Sequence, residues 1–340
     1  MKVALVGAGR QGLRRLQAIQ DVGGGDVVIV TDTNRDAAET LARRAGCRWS
    51  AEWRAAVDAA ADVVIICTPP HTHAEIARHA LHAGRHVFCE KPLAVTASDA
   101  WEMVAEADRT ARVLKCGFNY RFHPAIAHTR TLIRDGRLGR VMLLRSRHGT
   151  GGRPQFEREW RTRADQSGGG ILMDQGVHVL DLFRWLGGPF TRVMACTVTS
   201  YWPIAPVEDN AVAVLAGEGL LAGLHVSWTQ WKNLFTLDVI GSEGSVSVEG
   251  LGGSYGDERV LYRRAAGTER AQDVTEFRGP DRSWQDEWRE FTAAAALGQE
   301  PSGSGRDGAE VLTLVEAIYS SSREARAVDV GSPAGVGAQR

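Results

Sequence analysis

A chain of 340 residues with a net charge of −1 is long for one compact core and carries no excess of basic residues to grip nucleic acid. With 44% hydrophobic and 24% charged residues it has the composition of a globular protein, and no run of about 18 apolar residues marks a membrane span. The five cysteines (Cys47, Cys67, Cys89, Cys116 and Cys196) are odd in number and lack C-x-x-C spacing, so neither a disulfide framework nor a structural zinc site is expected.

In chain order, Val3 to Val6 is a short apolar run. The stretch MKVALVGAG is too short for the apolar core of a signal peptide and runs directly into Arg10 and Arg14-Arg15 with no cleavage-like segment; with the cysteines unpaired, a reducing cytoplasm is the expected compartment. Leu13, Leu16 and Ile19 then recur at helical spacing, and Gly23-Gly24-Gly25 breaks the chain. A second strand pattern covers Val27 to Val30 and a helix pattern Asp36 to Ala45. The alternation continues with strands at Val63–Cys67, Val87–Cys89 and Val113–Gly117 and helices at Ala74–Ala83 and Ser98–Arg109. Short apolar runs alternating with amphipathic helices predict a doubly wound parallel sheet over residues 1–120. Past that point the pattern changes. A helix at Ile126–Ile133 and a strand at Val141–Arg147 lead into a Gly- and Arg-rich loop over 149–170. Ile171 to Leu186 reads as a helix, Val193 to Phe277 as mostly alternating strands, and Trp284–Leu297 and Ala309–Ala327 as helices. Residues 121–330 are therefore expected to form an α+β domain with a largely antiparallel open sheet, and residues 331–340 a flexible tail.

Gly7-Ala8-Gly9-Arg10-Gln11-Gly12 sits between the first strand and the first helix, which is where G-x-G-x-x-G binds a dinucleotide. Gly7 makes the tight turn, Gly9 lets backbone approach the pyrophosphate, and Gly12 lets helix and strand pack closely. The pyrophosphate meets the free N–H groups at the helix start. Asp32, about 20 residues on at the end of the second strand, can bind both ribose hydroxyls and would repel a 2′-phosphate, which favours NAD. Arg35 lies in the same loop and would either pair with Asp32 or bind a 2′-phosphate, the feature that would admit NADP.

Six segments in order resemble the glucose–fructose oxidoreductase / inositol dehydrogenase / MocA family over nearly the whole chain. They are GAGRQG at the start, CTPPHTHAEIA at 67–77, CEKPLA at 89–94, GFNYRFHP at 117–124, GGGILMDQGVHVLD at 168–181 and GSEGSVSVE at 241–249. The resemblance implies a Rossmann domain followed by an α/β domain whose open sheet serves homodimer or homotetramer contacts. It places Thr68, Pro69, His71 and His73 in a loop against the cofactor and Glu90-Lys91 beside the nicotinamide. It also takes Trp160-Arg161 to the cofactor.

Lys91 follows a strand at the carboxyl end of the sheet, where its ammonium can stabilise a developing alkoxide. Asp174 and His178 are four apart in a helical pattern and share one face; they read either as a surface ion pair or as a catalytic pair. A His there can take the proton of an alcohol as hydride leaves, and Asp174 can orient it. The resemblance maps the family's catalytic Asp and His onto these two positions. Asn119 and Arg121 follow the strand at Val113–Gly117, placed for the cofactor and the substrate respectively, with Arg121 equally readable as a structural ion-pair partner. Asp181 lies one turn beyond His178 and reads as its support. Trp284 stands where the family often has Tyr, so core packing is as good a reading. His71, His73, His79 and His82 lack the three-ligand pattern of a metal centre, and no metal is expected. The expected activity is NAD-dependent interconversion of a secondary alcohol and a ketone on a sugar, sugar nucleotide or cyclitol. The arginines of the 149–170 loop (Arg153, Arg158, Arg161 and Arg163) would suit a phosphate-bearing substrate. The rivals are reduction of a non-sugar carbonyl and a catalytically silent NAD-binding regulator.

Overall fold

The computed structural model describes residues 1–265 and 272–331; the expected tail at 332–340 lies outside the described residues. The chain forms two compact units, residues 1–119 with 282–312, and residues 120–281 with the chain from Thr313 onward.

In the first unit the strands are β1 (Lys2–Val6), β2 (Asp26–Thr31), β3 (Arg48–Ser50), β4 (Val63–Ile66), β5 (His86–Cys89) and β6 (Leu114–Cys116). The helices between them are α1 (Arg10–Val22), α2 (Arg35–Ala45), α3 (Arg54–Asp58), α4 (His73–His82) and α5 (Ala97–Thr110). All the pairings are parallel and the order is β3-β2-β1-β4-β5-β6, the dinucleotide-fold order with its switch point between β1 and β4. Val3 to Val6 and Val63 to Ile66 are buried throughout because helices cover both faces, which explains their unbroken apolar runs. Asn34 accepts the Ala37 N–H to start α2, and Gly46 at φ 70° ends it. β3 and α3 carry little apolar periodicity, and the sequence patterns passed over them.

The second unit contains α6 (Pro124–Arg134), β7 (Val141–Gly149), α7 (Ala164–Ser167), α8 (Val177–Gly187), β8 (Arg192–Val198), β9 (Asn210–Gly217) and β10 (Leu220–Ser227). It continues with β11 (Leu234–Gly241), β12 (Gly244–Glu249), β13 (Glu258–Arg264), β14 (Gln272–Phe277) and, after the helices α9 (Ser283–Leu297) and α10 (Gly305–Glu324), β15 (Val328–Asp329). The nine strands run β14-β13-β12-β11-β7-β10-β9-β8-β15, and only the β7–β10 pair is parallel. Burial alternates along β9 to β13, so one face packs under helices and the other is open.

Two expectations need correction. Residues 282–312 belong with the first unit, not with the second domain. The reason is packing: Trp288, Phe291 and Ala295 of α9 enter the core of Val3, Leu5, Leu16, Ile19 and Phe88, and the Trp288 indole donates to the Gly23 carbonyl at 3.3 Å. The segment 171–186 is not one regular α-helix either. Leu172–Gly176 is a π-turn that leads into α8.

Candidate active site

At the β1 turn the three glycines answer three different demands. Gly7 has φ +99°, and a Cβ there would lie 2.7 Å from the Cys67 carbonyl carbon. On Gly12 a Cβ would lie 2.0 Å from the Gly7 oxygen, so helix and turn could not close. Beside Gly9 nothing lies within 4 Å, and the backbone there faces open space at the start of α1. These three properties fit a bound dinucleotide pyrophosphate, with Arg10 and Gln11 opening the helix beneath it. Asp32 is anchored as a carboxylate at the tip of β2: its Oδ2 accepts the Ala8 N–H at 2.7 Å and its Oδ1 the Asn34 N–H at 2.8 Å. Arg35 does not fold onto Asp32; its guanidinium lies 5.2 Å from the Trp49 ring centre.

After β4, Thr68 hydrogen-bonds through its hydroxyl to Thr72 at 2.6 Å, and Pro69 leads into a 3₁₀ turn, Pro70–Thr72. His71 in that turn is exposed. His73 corrects the expectation of a ring against the cofactor. It is fully buried, with Nδ1 2.9 Å from the Pro92 carbonyl oxygen and Nε2 2.8 Å from that of Thr68. It braces the loop after β4 to the loop after β5. Burial pushes its pKa down, against the two carbonyls that favour the imidazolium. His79 and His82 lie on the exposed side of α4, His79 edge-on to Trp53 and His82 beside Glu106.

Glu90 also turns inward, another correction. Its carboxylate receives the Arg15 Nε at 2.7 Å, and Arg15 reaches Glu287 of α9 at 2.7 Å through Nη1. Burial alone would lower the Arg15 pKa, but Glu90 and Glu287 outweigh it and hold it above its ordinary value. The fully buried Lys115 lies 3.8 Å from Glu287 and 3.2 Å from Glu290. Lys91, half-buried, follows this anchored Glu90 at the carboxyl end of β5. Asn119 is buried and donates to the Ser283 hydroxyl at 3.0 Å. Trp284 packs beneath Arg14 and Arg15, whose guanidinium carbons lie 5.2 and 4.5 Å from the ring centre.

In the second unit, His178 is buried and lies flat on Tyr120, with ring centres 3.9 Å apart and planes within 5°. The Tyr120 hydroxyl sits 2.9 Å from His148 Nε2 on β7 and 3.3 Å from the Gln175 amide oxygen. Burial pushes the Tyr120 pKa far up, so it stays a neutral phenol. Asp174 is partly exposed in the π-turn, with Arg161 Nε 3.8 Å from its Oδ1. The burial and stacking of His178 rule out a solvated surface pair.

Arg121 does not face a substrate. Its Nε and Nη2 fork onto Asp181 at 2.9 and 2.5 Å, and its guanidinium carbon lies 5.2 Å from the Trp185 ring centre. Tyr120 and Arg121, adjacent in the chain, thus grip His178 and Asp181, one turn apart on α8. Trp160 stacks under the Arg161 guanidinium at 4.5 Å. Glu159 receives both Arg153 and Arg161, at 2.5 and 3.3 Å, so two of the loop's four arginines share one carboxylate. Phe156 is buried edge-on to Trp202 and Trp228, pinning a loop that the composition alone left open.

Tyr120, His148, Gln175 and Arg15 were not singled out in the sequence. Tyr120 lies within the quoted GFNYRFHP segment, but its partners stand 28 to 58 residues away and no spacing rule links them.

Residues 1–118 match the sequence pattern described as the oxidoreductase family with an NAD-binding Rossmann fold, and residues 126–247 match the GFO/IDH/MocA C-terminal domain. The D-apiose dehydrogenase of Paraburkholderia graminis is 32% identical over 97% of this chain and 90% of its own. The chain belongs to the Gfo/Idh/MocA oxidoreductase family. Another member, the inositol 2-dehydrogenase of Rhizobium meliloti, is 28% identical over 97% of this chain and 99% of its own. Among solved structures, a levoglucosan dehydrogenase in complex with NADH superposes with a TM-score of 0.90 at 26% identity, covering 98% of this chain and 99% of that one. As a family member the protein is an NAD-dependent dehydrogenase with a parallel Rossmann sheet and a mostly antiparallel second sheet. Among the described residues no helix is long and apolar enough to cross a membrane.

Proposed function

We propose that this protein oxidises a secondary alcohol on a sugar or cyclitol to a ketone, or runs the reverse, with His178 as general base. The observation that carries this is the stacked, buried His178, four residues from Asp174 in one helical segment. When bound, NAD supplies the hydride acceptor, held by the Gly7–Gly12 turn and Asp32. His178 takes the hydroxyl proton while hydride leaves the same carbon. A positioned base of this kind contributes about 10²–10⁴-fold. Asp174 binds and orients the substrate hydroxyl. Lys91 stabilises the alkoxide as charge develops. The names of the relatives, D-apiose, inositol and levoglucosan dehydrogenases, all point to ring or chain polyols as the substrate class. The carboxylate of Asp32 at the end of β2, which would repel a 2′-phosphate, and the placement of Arg35 over Trp49 favour NAD over NADP.

The outer face of the second sheet supports a homo-oligomer. Met194, Val198, Val212, Val214 and Leu221 are each about half exposed there, and Met194 and Val214 are cross-strand partners. A contiguous apolar patch on an open sheet fits a second copy of the chain.

The test is NADH formation with D-apiose, levoglucosan and myo-inositol as probes, using wild type and His178→Ala. Turnover on at least one probe, lost in His178→Ala while NAD binding is kept, is expected. Unchanged turnover in the variant sinks the base assignment. NAD binding without turnover on any probe favours the silent regulator.

A further inference from the structure

Gly168-Gly169-Gly170 precedes the segment that carries Asp174 and His178. A Cβ on Gly170 would lie 1.9 Å from the Glu208 main-chain oxygen, and one on Gly169 2.0 Å from the Tyr319 hydroxyl. The chain is pressed against these two residues, and the reason lies in hydrogen bonding. The Glu208 carboxylate accepts the N–H of Gly170 at 3.0 Å, the N–H of Leu172 at 2.9 Å and the Tyr319 hydroxyl at 3.0 Å. The N–H of Ile171, between them, donates to the Glu208 main-chain oxygen at 3.1 Å. Three consecutive N–H groups at a helix start, which have no acceptor within the helix, all end on one buried residue. Glu208 is itself held. The neighbouring Asp209 carboxylate accepts the N–H groups of Ser200, Tyr201 and Trp202 at 2.9, 2.7 and 2.9 Å.

We propose that Glu208 is a positioning residue for the chemistry: by gripping residues 170–172 it sets the register of the π-turn bearing Asp174 and of the α8 start bearing His178. This rests on the reading of those two as the catalytic pair. A π-turn is rare and gives up regular α geometry, so it persists where its surroundings over-determine it, and it is frequent at functional sites. Here Glu208, seconded by Tyr319, supplies the constraint. Among the described residues the adjoining elements offer this carboxylate neutral donors: two main-chain N–H groups and a phenol. A carboxylate accepts all three, whereas an amide in its place must turn a donor toward one of them.

The experiment compares wild type, Glu208→Gln and Tyr319→Phe in the full-length protein. Amide hydrogen exchange is read across the chain, and kinetics are measured on whichever of D-apiose, levoglucosan or myo-inositol the wild type turns over. In Glu208→Gln, exchange over residues 170–178 should quicken about ten-fold or more while the first unit is unaffected, as expected when a buried N–H loses its acceptor. The kcat should fall about ten-fold or more with KM for NAD within about two-fold, as for a misplaced base. Tyr319→Phe, which spares both main-chain bonds, should move the same readouts less. If Glu208→Gln does not accumulate as folded protein, Tyr319→Phe decides alone. Unchanged exchange over 170–178, or a rise spread evenly with a matching loss of active enzyme and no change per active molecule, overturns the proposal. A wild type that turns over none of the probes overturns the functional reading instead, and with it the catalytic half of this inference; the exchange data still report on the clamp.

Discussion

Replacing Arg121 by Met separates two roles that the sequence left open. The guanidinium forks onto Asp181 with side-chain exposures of 4% and 1%, so the pair is closed off from water. Removing the cation leaves a buried carboxylate without its counter-charge, which costs about 3–5 kcal/mol. A unit of this size shifts by roughly 2–4 °C per kcal/mol, so the midpoint of thermal unfolding should fall by roughly 6–20 °C. Taking out both charges in Arg121→Met/Asp181→Leu should restore most of that loss, because two apolar side chains of similar volume leave nothing uncompensated. Arg121→Lys should fall between, since an ammonium cannot form the fork. Unfolding followed by circular dichroism, with steady-state kinetics on the same preparations, gives both readouts. An unchanged midpoint with a raised KM for the alcohol would refute the structural assignment and return Arg121 to the substrate.

Gly9→Ala should leave stability nearly untouched, because its Cβ meets open space, yet weaken NAD in calorimetric titration; Gly12→Ala, driven into the Gly7 carbonyl, should lower the unfolding midpoint and NAD affinity together. His73 binds a proton less readily when folded than at its ordinary 6.5, so its contribution to stability is present above about pH 6.5 and is lost as pH falls below it. His86 and His225 act with the same sign, and His73→Asn should remove only part of the slope of unfolding free energy between pH 5 and 7; an unchanged slope would exclude His73 as a contributor. Val214→Glu should convert an oligomer to monomer in sedimentation, and a wild type that is already monomeric would exclude the sheet-face contact.

Local rules carried much of the first unit. The glycine spacing, the apolar runs of β1 and β4 and the carboxylate at Asp32 are short-range features, and each lies where its pattern put it. The π-turn was invisible because it depends on Glu208 and Tyr319, 36 to 150 residues away from the amides and glycines they hold. Glu90, His73 and Arg121 show the same limit from another side. A motif marks them as special without saying whether the side chain faces ligand or core, and all three face inward. The glycine triplet at 168–170 was the one local hint of Glu208, since three small residues in a row announce a close approach whose partner the sequence does not name.

The discontinuous first unit bears on how the chain is made. Arg15 sits near the beginning of the polypeptide, but one of its two carboxylate partners, Glu287, is translated some 270 residues later. Until α9 emerges, the nascent Rossmann sheet lacks Trp288 and Phe291 against Leu5 and Leu16, and Arg15 and Lys115 are without the Glu287 counter-charge. A ribosome-bound intermediate therefore presents a sticky, partly charged groove that invites chaperones, and an expression fragment cut near residue 120 should aggregate instead of binding NAD.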